Sequence, residues 1–543
     1  MAGDAFDTII IGAGSAGCVL ADRLTEDGGK KVLVLEAGGS DRSWLISVPL
    51  GVAKVWSGET YNWSYQSEPE PFADNRSIFH PRGKVVGGSS SINMMAYVRG
   101  NRGDYDRWRQ KGMTGWSYEE VLPYFRRAES FESGGDAYHG GAGPLGTRQA
   151  TSDNAAFNAF KKAGEEMGYP VNTDFNGESQ DGFTHSQSSI RNGRRCSAAV
   201  AYLRPAQKRG GVKLETNVHV TRILFEGKRA VGVEYLQGGQ KREMRCNDEI
   251  IVSGGAINSP QILMLSGIGP AEHLKDMGID VLIDQPGVGA NLQDHAAIAY
   301  EFAARQPTGY QNNLRLDRLA ISMIQAYLFG TGFAATPPGG MTAFVKSAPE
   351  KDLPDIQLFA RNGTYLVQEW FPGWRKKTAD GFTLRACHLR PESRGSITLA
   401  SADPKAPPRI LNNFLQAHED RRVMRECVKI MRAIARSKAF SHLAGEDVQP
   451  SADVRTDDEI DSYVRANLAT VYHPIGTCRI GADPASVVDL DFRLRGAEGL
   501  RVVDASVMPD LVGGNINGPV MMMAEKASDI IRGKPPLPAA QGV

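Results

Sequence analysis

Cysteine is scarce and unpaired in this chain. Cys18, Cys196, Cys246, Cys387, Cys427 and Cys478 are scattered, and no two stand at Cys-x-x-Cys spacing. That argues against a zinc site or a disulfide framework and suits a reducing compartment. An excess of charge is missing too. With 62 Lys and Arg against 62 Asp and Glu, the formal net charge is zero. No basic stripe or tail stands out, so nucleic-acid binding has no electrostatic support. No charged segment leads into an apolar stretch at the N-terminus, so a cleaved signal is not expected. No apolar run is long enough to span a bilayer. The most apolar piece, Leu319 to Phe329, is too short to cross and reads as a core or pocket helix. The expected compartment is the cytoplasm, with peripheral attachment at the inner face of the membrane left open. Repeats and low-complexity tracts are absent as well. A chain of 543 residues exceeds one small core, so two domains or one large elaborated domain are expected.

What is present begins at Asp7. The run Thr8-Ile9-Ile10-Ile11 reads as a buried parallel strand, because both faces of such a strand must be apolar. Gly12-Ala13-Gly14-Ser15-Ala16-Gly17 follows. In such a fingerprint the first glycine allows the tight turn, the second admits a pyrophosphate to the backbone, and the third lets helix pack on strand. The helix over Cys18 to Leu24 would turn its N-terminal amides toward phosphate. A second strand, Val32 to Leu35, ends at Glu36, placed to accept hydrogen bonds from a ribose diol. Ala37 opens the loop after it. Strand, glycines, helix, strand and acid in that order predict a dinucleotide site.

Downstream, an irregular stretch rich in Pro, Gly and aromatics runs to about Pro81 and holds Trp63 and Tyr65. Such stretches wrap ligands or form lids; for the two aromatics, packing under the loop and cofactor contact are both open. The run Gly87-Gly88-Ser89-Ser90-Ser91, leading to Asn93, Met94, Met95 and Ala96, offers closely spaced amides and hydroxyls. It reads as a second cradle for a phosphate or ribityl chain. Thr151 to Asn154 reads as a cap for a helix over 156–168. Strands are expected near Val212 to Thr216 and Val218 to Phe225, with a hairpin at Glu226-Gly227-Lys228. Another strand, Glu249 to Ser253, precedes a helix at Ser259 to Leu265. Among Tyr365, Trp370, Phe371 and Trp374, one or two are expected at a substrate entrance. Near the C-terminus stand Tyr472-His473-Pro474, a strand ending at Asp504, and Asn515-Ile516-Asn517-Gly518-Pro519 before a helix.

Read together, the N-terminal fingerprint, Gly83 to Asp106, Gly255 to Gly269, and the pair Tyr472-His473-Pro474 with Asn515-Ile516-Asn517 resemble the glucose-methanol-choline (GMC) family of flavin oxidoreductases. The resemblance covers nearly the whole chain, and within the family it leans to choline dehydrogenase-like and aliphatic alcohol dehydrogenase-like members. It implies an α/β protein with a Rossmann-like FAD domain from 1–155, 205–305 and 465–535. A substrate domain with a mainly antiparallel sheet would take 156–204 and 306–464. By the same resemblance Gly12, Gly14, Ser15, Ala16, Gly17, Glu36 and Ala37 would hold the ADP half of FAD, with Val220 beside adenine and Trp63 in contact. Arg82, Val85, Val86, Gly88, Ser89, Asn93, Met94, Met95 and Ala96 would run along the pyrophosphate, ribityl chain and flavin. Asp504 and Ala505 would touch the pyrophosphate–ribityl region; Tyr472, Gly518 and Pro519 would lie near the isoalloxazine. Some members attach flavin through a histidine where this chain has Ile92, so FAD is expected to be dissociable.

The resemblance makes His473 the catalytic base and Asn517 its partner. Removing an alcohol's hydroxyl proton near pH 7 suits a neutral imidazole, and an amide can donate to the oxygen as alkoxide character develops. The expected reaction is oxidation of a primary alcohol to the aldehyde, with electrons passed to a quinone, a carrier or oxygen and no metal. Without a placeable acid for a choline-like cation, uncharged aliphatic or aryl alcohols are expected. Hydroxynitrile lyases resemble this family too, so a non-redox lyase is the alternative reading; a light-driven decarboxylase is a third.

Overall fold

A computed structural model describes residues 6–151, 154–337 and 339–543. Its first sheet has a parallel half in the spatial order Val212–Thr216, Val32–Glu36, Phe6–Ile11, Gln240–Val252 and Leu500–Val502. The register pairs Ile9 with Leu33 on one side and with Ile250 on the other. Ile9, Ile10, Val32, Leu33, Val34, Ile250 and Ile251 are all fully buried, as strands covered on both faces must be. The long strand Gln240–Val252 leaves this sheet at its N-terminal half and closes an antiparallel meander with Val218–Glu226 and Arg229–Gln237. The expected hairpin at Gly227 joins those two strands.

The second sheet is antiparallel throughout, in the order Ala444–Gln449, Ala296–Ala304, Gly381–His388, Ile356–Asn362, Met341–Val345 and Gly182–His185. The predicted α/β class with an antiparallel substrate sheet is what is observed. The domain boundaries need correction. Ala296–Ala304, assigned to the FAD segment 205–305, pairs Ala297 with Cys387 and Tyr300 with Leu384 in the second sheet. Ala469–Thr470, also assigned to the FAD domain, adds to the same strand. Alternation explains the pairing: Ile298, Tyr300 and Phe302 all enter the core cluster of this sheet. In Gly381–His388, Phe382, Leu384 and Ala386 point into that cluster, where Val423, Met424, Cys427 and Met431 of helix His418–Ala435 meet them. Thr383 and Arg385 therefore face the opposite way, toward the first domain.

Helix Ala155–Glu166 forms where periodicity placed it, with Asn154 Oδ1 accepting from Phe157 N at 3.1 Å; 152 and 153 of the predicted cap lie outside the described residues. The helix expected from Ser259 starts four residues earlier, as Gly255–Leu265. Leu316–Phe329 is helical, but it is neither a core nor a pocket helix. Only Ala326 is buried, and Ile321, Ile324, Leu328 and Phe329 are 67%, 59%, 55% and 73% exposed. The sequence shows that helix's composition; it cannot show that only a narrow face, with Met323 and Ala326 against Val48, Ala334 and Ala335, is packed. Among the described residues, no helix is long and apolar enough to cross a membrane.

The C-terminal helix Asn517–Ile531 locks the first domain. Glu525, fully buried, accepts from Arg23 Nε and Nη2 at 3.0 and 2.9 Å, Arg127 Nε at 2.8 Å and Tyr202 Oη at 2.9 Å. One carboxylate thus joins helices Ser15–Leu24, Tyr118–Ala128 and Asn517–Ile531. Removing one member of a buried charged cluster strands the others. Glu525→Gln is expected to destabilise the FAD-loaded protein by about 3 kcal/mol or more, read as a lower thermal midpoint. An unchanged midpoint would show that Asp529, which takes Arg127 Nη1 at 2.7 Å, suffices alone.

Candidate active site

The glycine loop lines one end of a cavity of about 850 Å³ that runs on to the antiparallel sheet. Gly17 is forced by packing, since a Cβ there would lie 2.0 Å from Gly12 O. Helix Ser15–Leu24 has no side-chain cap at Gly14, which leaves its first amides free for a phosphate. The second glycine run folds against the first: a Cβ on Gly88 would lie 2.7 Å from Gly14 Cα, and Gly87 N donates to Ala13 O at 2.7 Å. Glu36 ends its strand at the cavity, where Oε2 accepts from Ala13 N at 2.9 Å and Oε1 from Gly38 N at 2.8 Å. Burial pushes its carboxyl up to about 7 against those two hydrogen bonds. Asp504 also lines the cavity and accepts from Gly255 N, Ser259 Oγ and Ser506 N at 2.8, 2.5 and 2.7 Å. Two glycine cradles, a free helix N-terminus and a terminal acid fit an extended dinucleotide.

Of the residues expected to touch the cofactor, Gly12, Gly14, Ser15, Ala16, Glu36, Ala37, Trp63, Arg82, Gly88 and Ser89 line the cavity. So do Asn93, Met94, Met95, Ala96, Val220, Tyr472, Asp504 and Ala505. Five lie behind the wall instead. Gly17 packs helix on strand, and Val85 and Val86 are core side chains in two different clusters. Gly518 and Pro519 are buried in the first turn of the C-terminal helix. Ile92 presents hydrocarbon to the cavity. Trp63 lines it stacked on Tyr65 at 5.7 Å, while Tyr65 Oη accepts from Asn258 Nδ2. Of the four loop aromatics, Tyr365 reaches the cavity.

At the far end, His473 is held from three sides. Its backbone N–H donates to Asp294 Oδ1 at 2.8 Å, and Tyr472 before it takes the left-handed φ of 69° that turns the segment. Its Nδ1 lies 2.9 Å from His295 Nδ1, and its Nε2 lies 3.1 Å from Asn515 Nδ2. The tautomers follow from one carbonyl. Leu389 O, 3.1 Å from His295 Nε2, can only accept, so that nitrogen carries hydrogen. With both rings neutral, His295 Nδ1 is bare and receives the Nδ1–H of His473. His473 Nε2 is then a lone pair, receiving the Asn515 amide beside the cavity. Both imidazoles are kept neutral. Burial lowers His473 well below its ordinary value, aided by His295, Arg82 and Arg385. Burial brings His295 to about 3.

The expected pairing of His473 with Asn517 is therefore corrected. Asn517 opens the C-terminal helix, and its Oδ1 accepts from Ser15 Oγ at 2.7 Å, on the dinucleotide side. Asn515, still in the loop two residues earlier, meets the imidazole, and its Oδ1 accepts from Gln357 at 3.4 Å. Both asparagines stood in the same quoted segment; which one faces His473 depends on where the helix begins. His295 and Asp294 were missed altogether. They adjoin in sequence but lie 178 and 179 positions from His473, so no local pattern marks them.

A dinucleotide cleft that ends at a neutral imidazole with an amide donor beside it is the arrangement of a dinucleotide-dependent alcohol oxidoreductase. Comparison with known proteins agrees. Residues 6–297 and 391–524 match GMC oxidoreductase. The chain is 45% identical over 534 residues to the oxygen-dependent choline dehydrogenase of Brucella ovis, covering 98% of this chain and 96% of that one. It is equally similar to the Rhizobium rhizogenes protein of that name. Among solved structures, pyridoxine 4-oxidase from Mesorbium loti superposes with a TM-score of 0.86 at 29% identity, over 98% of this chain and 100% of that one. A fungal aryl-alcohol oxidase gives 0.83 at 26%, over 97% and 99%. The chain belongs to the GMC oxidoreductase family and is an FAD-dependent alcohol oxidoreductase.

The two asparagines should separate by experiment. Asn515→Ala removes the donor at His473 and is expected to lower kcat/KM by about 10²-fold or more, as for a lost oxyanion donor, with FAD retained. Asn517→Ala is expected to weaken FAD retention first. The reverse pattern, measured by turnover and by flavin lost on dilution, would restore the pairing read from the sequence.

Proposed function

We propose that the protein oxidises a primary alcohol, aliphatic or aryl, to its aldehyde, with His473 as general base. The observation that carries this reading is the His473 imidazole in the cavity wall, with Nδ1 2.9 Å from His295 Nδ1 and Nε2 3.1 Å from Asn515 Nδ2; the Leu389 carbonyl at His295 Nε2 assigns the lone pair to His473 Nε2. The bound flavin supplies the hydride acceptor. The protein does the rest. His473 Nε2 takes the hydroxyl proton, and Asn515 Nδ2 lies within reach to donate to the oxygen as charge builds. The positive field of Arg82 and Arg385 favours that charge and keeps the imidazole free to accept a proton. Asp294 holds the His473 backbone in place. The carbinol carbon loses its hydride in the same conversion, which balances alcohol to aldehyde, one proton and one hydride.

Relatives at 45% identity are named oxygen-dependent, which supports oxygen as an acceptor; a quinone or carrier is the other reading. Choline is disfavoured by charge. The carboxylates among the described cavity-lining residues are Glu36 and Asp504, both at the dinucleotide end. Anaerobic addition of alcohols should bleach the flavin, with benzylic and aliphatic alcohols faster than choline, and admitted air should restore the colour. Because the active form of His473 is the neutral one and its pKa is lowered, the acid limb of the bleaching rate should fall below pH 6.5. A limb above pH 7, or choline as the fastest substrate, would overturn this account.

The exposed helix supports peripheral membrane contact. Ile321, Ile324 and Leu328 lie on one stripe at helical spacing, with Phe329 at its end and Trp374 exposed on the adjoining loop. Arg318 and Lys376 are exposed beside them, the pattern of a helix lying in an anionic headgroup layer. Vesicles containing phosphatidylglycerol should sediment the protein, and Ile321→Glu with Ile324→Glu should abolish this. Equal recovery with neutral vesicles, or no sedimentation, would remove the contact.

A further inference from the structure

The roof over the substrate end of the cavity carries positive charge that makes no ion pair among the described residues; Glu301, on the adjoining strand, accepts instead from Tyr365 N at 2.6 Å and Thr383 Oγ1 at 2.9 Å. Strand alternation puts it there. Because Phe382, Leu384 and Ala386 are drawn into the core beneath helix His418–Ala435, Arg385 must face the cavity. On the neighbouring strand Ile356, Leu358 and Ala360 enter the same core, which turns Phe359 and Arg361 downward. Phe359 pairs directly with Arg385.

The two guanidinium groups differ in what occupies them. Arg361 Nη2 donates to Thr364 O at 2.8 Å, and its carbon lies 4.9 Å over the Tyr365 ring. Arg385 Nη2 donates to Thr470 O at 2.8 Å, and its other neighbours are the phenols of Tyr365 and Tyr472 and the Cys387 thiol. A backbone carbonyl and neutral groups satisfy hydrogens without cancelling charge. Two other interior arginines meet carboxylates, Arg99 with Glu129 at 2.6 Å and Arg23 with Glu525 at 2.9 Å, whereas Arg195, outside the cavity lining, is held by carbonyl oxygens of Ile46, Ser90 and Asn93. A guanidinium withdrawn from water without a counter-ion is costly, and its planar fork matches a carboxylate. The aromatic walls offer a cation little in exchange. Tyr365 already carries Arg361, and Tyr472 packs edge-on against Trp56 at 4.7 Å.

We propose that Arg385 receives a carboxylate on the substrate, so that the alcohol oxidised at His473 is a short hydroxy acid. The inference rests on the primary-alcohol reading above and replaces the uncharged substrate that the sequence suggested. Arg385 is fixed to Thr470 O, three residues before His473, and its charge acts on the His473 imidazole. A hydroxymethyl group and a carboxylate separated by one aromatic ring or a few methylenes suit two groups at the same end of the cavity.

The test compares 4-(hydroxymethyl)benzoate with benzyl alcohol and 4-methylbenzyl alcohol on the full-length, FAD-loaded protein. The wild type is expected to prefer the carboxylate by tenfold or more in kcat/KM. Arg385→Gln should bring that ratio near one, chiefly through the KM of the carboxylate, and Arg385→Lys should recover part of it. A wild-type ratio near one would overturn the proposal, as would Arg385→Gln lowering all three substrates by the same factor. Should that variant fail to fold, inhibition of the wild type decides. Benzoate should compete at least tenfold more tightly than benzamide, and equal inhibition would overturn the proposal. Benzyl alcohol turned over without preference for the acid removes this inference alone. If none of the three reduces the flavin, the primary-alcohol reading falls with it.

Discussion

A single buried carboxylate pins two of the places where the chain passes between the sheets. Asp294 stands just before the strand Ala296–Ala304, and Thr470 to His473 is the return path. Its Oδ1 accepts from the backbone N–H of His295 and His473, both at 2.8 Å, and its Oδ2 accepts from Thr470 Oγ1 at 2.5 Å. Burial raises its carboxyl to about 6, while these hydrogen bonds and the nearby Arg82 oppose that rise. The Asp294 side chain reinforces backbone pairing that already joins the two segments, with Val471 N donating to His295 O at 3.1 Å and Ile475 N to Gln293 O at 2.9 Å.

From that anchor the electrostatics divide into two ends. At the dinucleotide end, Glu36 and Asp504 spend their oxygens on backbone amides and shape the loops. At the substrate end, Arg82, Arg361 and Arg385 line the cavity. Burial is the main reason that His473 stays neutral, with Arg82 and Arg385 adding to it; the same positive charge favours an alkoxide and opposes a cationic alcohol. Substrate choice in this chain is therefore tied to the base, because a group that discriminates by charge also tunes the imidazole.

The exposed helix Leu316–Phe329 is the exception to a well-buried molecule. The loop around Trp370 joins it, since Leu316 N donates to Trp370 O at 3.0 Å and Trp370 Nε1 donates to Gln311 O at 2.7 Å. Tyr365 of that loop lines the cavity. An apolar outer face and a cavity-lining aromatic on one connected segment place any surface contact of this helix close to the substrate end.

The sequence by itself determined the parts whose chemistry is local. Strand, glycine turn, helix and acid from Phe6 to Glu36 are dictated by β-branched runs and by positions no Cβ can occupy. The segment around His473 and the two asparagines was equally legible as a candidate. Tertiary structure decided what needs distant partners. Asn515 rather than Asn517 meets the imidazole because the C-terminal helix starts at Asn517 and turns that side chain to Ser15. Ala296–Ala304 joined the second sheet through partners in Gly381–His388, from Ala303 with Gly381 to Ala297 with Cys387, that no local pattern reveals. His295 acquires its tautomer from Leu389, and Arg385 its exposure to the cavity from the side on which helix His418–Ala435 packs. Patterns in a chain report what neighbours in sequence require of each other; hydrogen bonds and sheet faces made across hundreds of residues are fixed only when the fold closes.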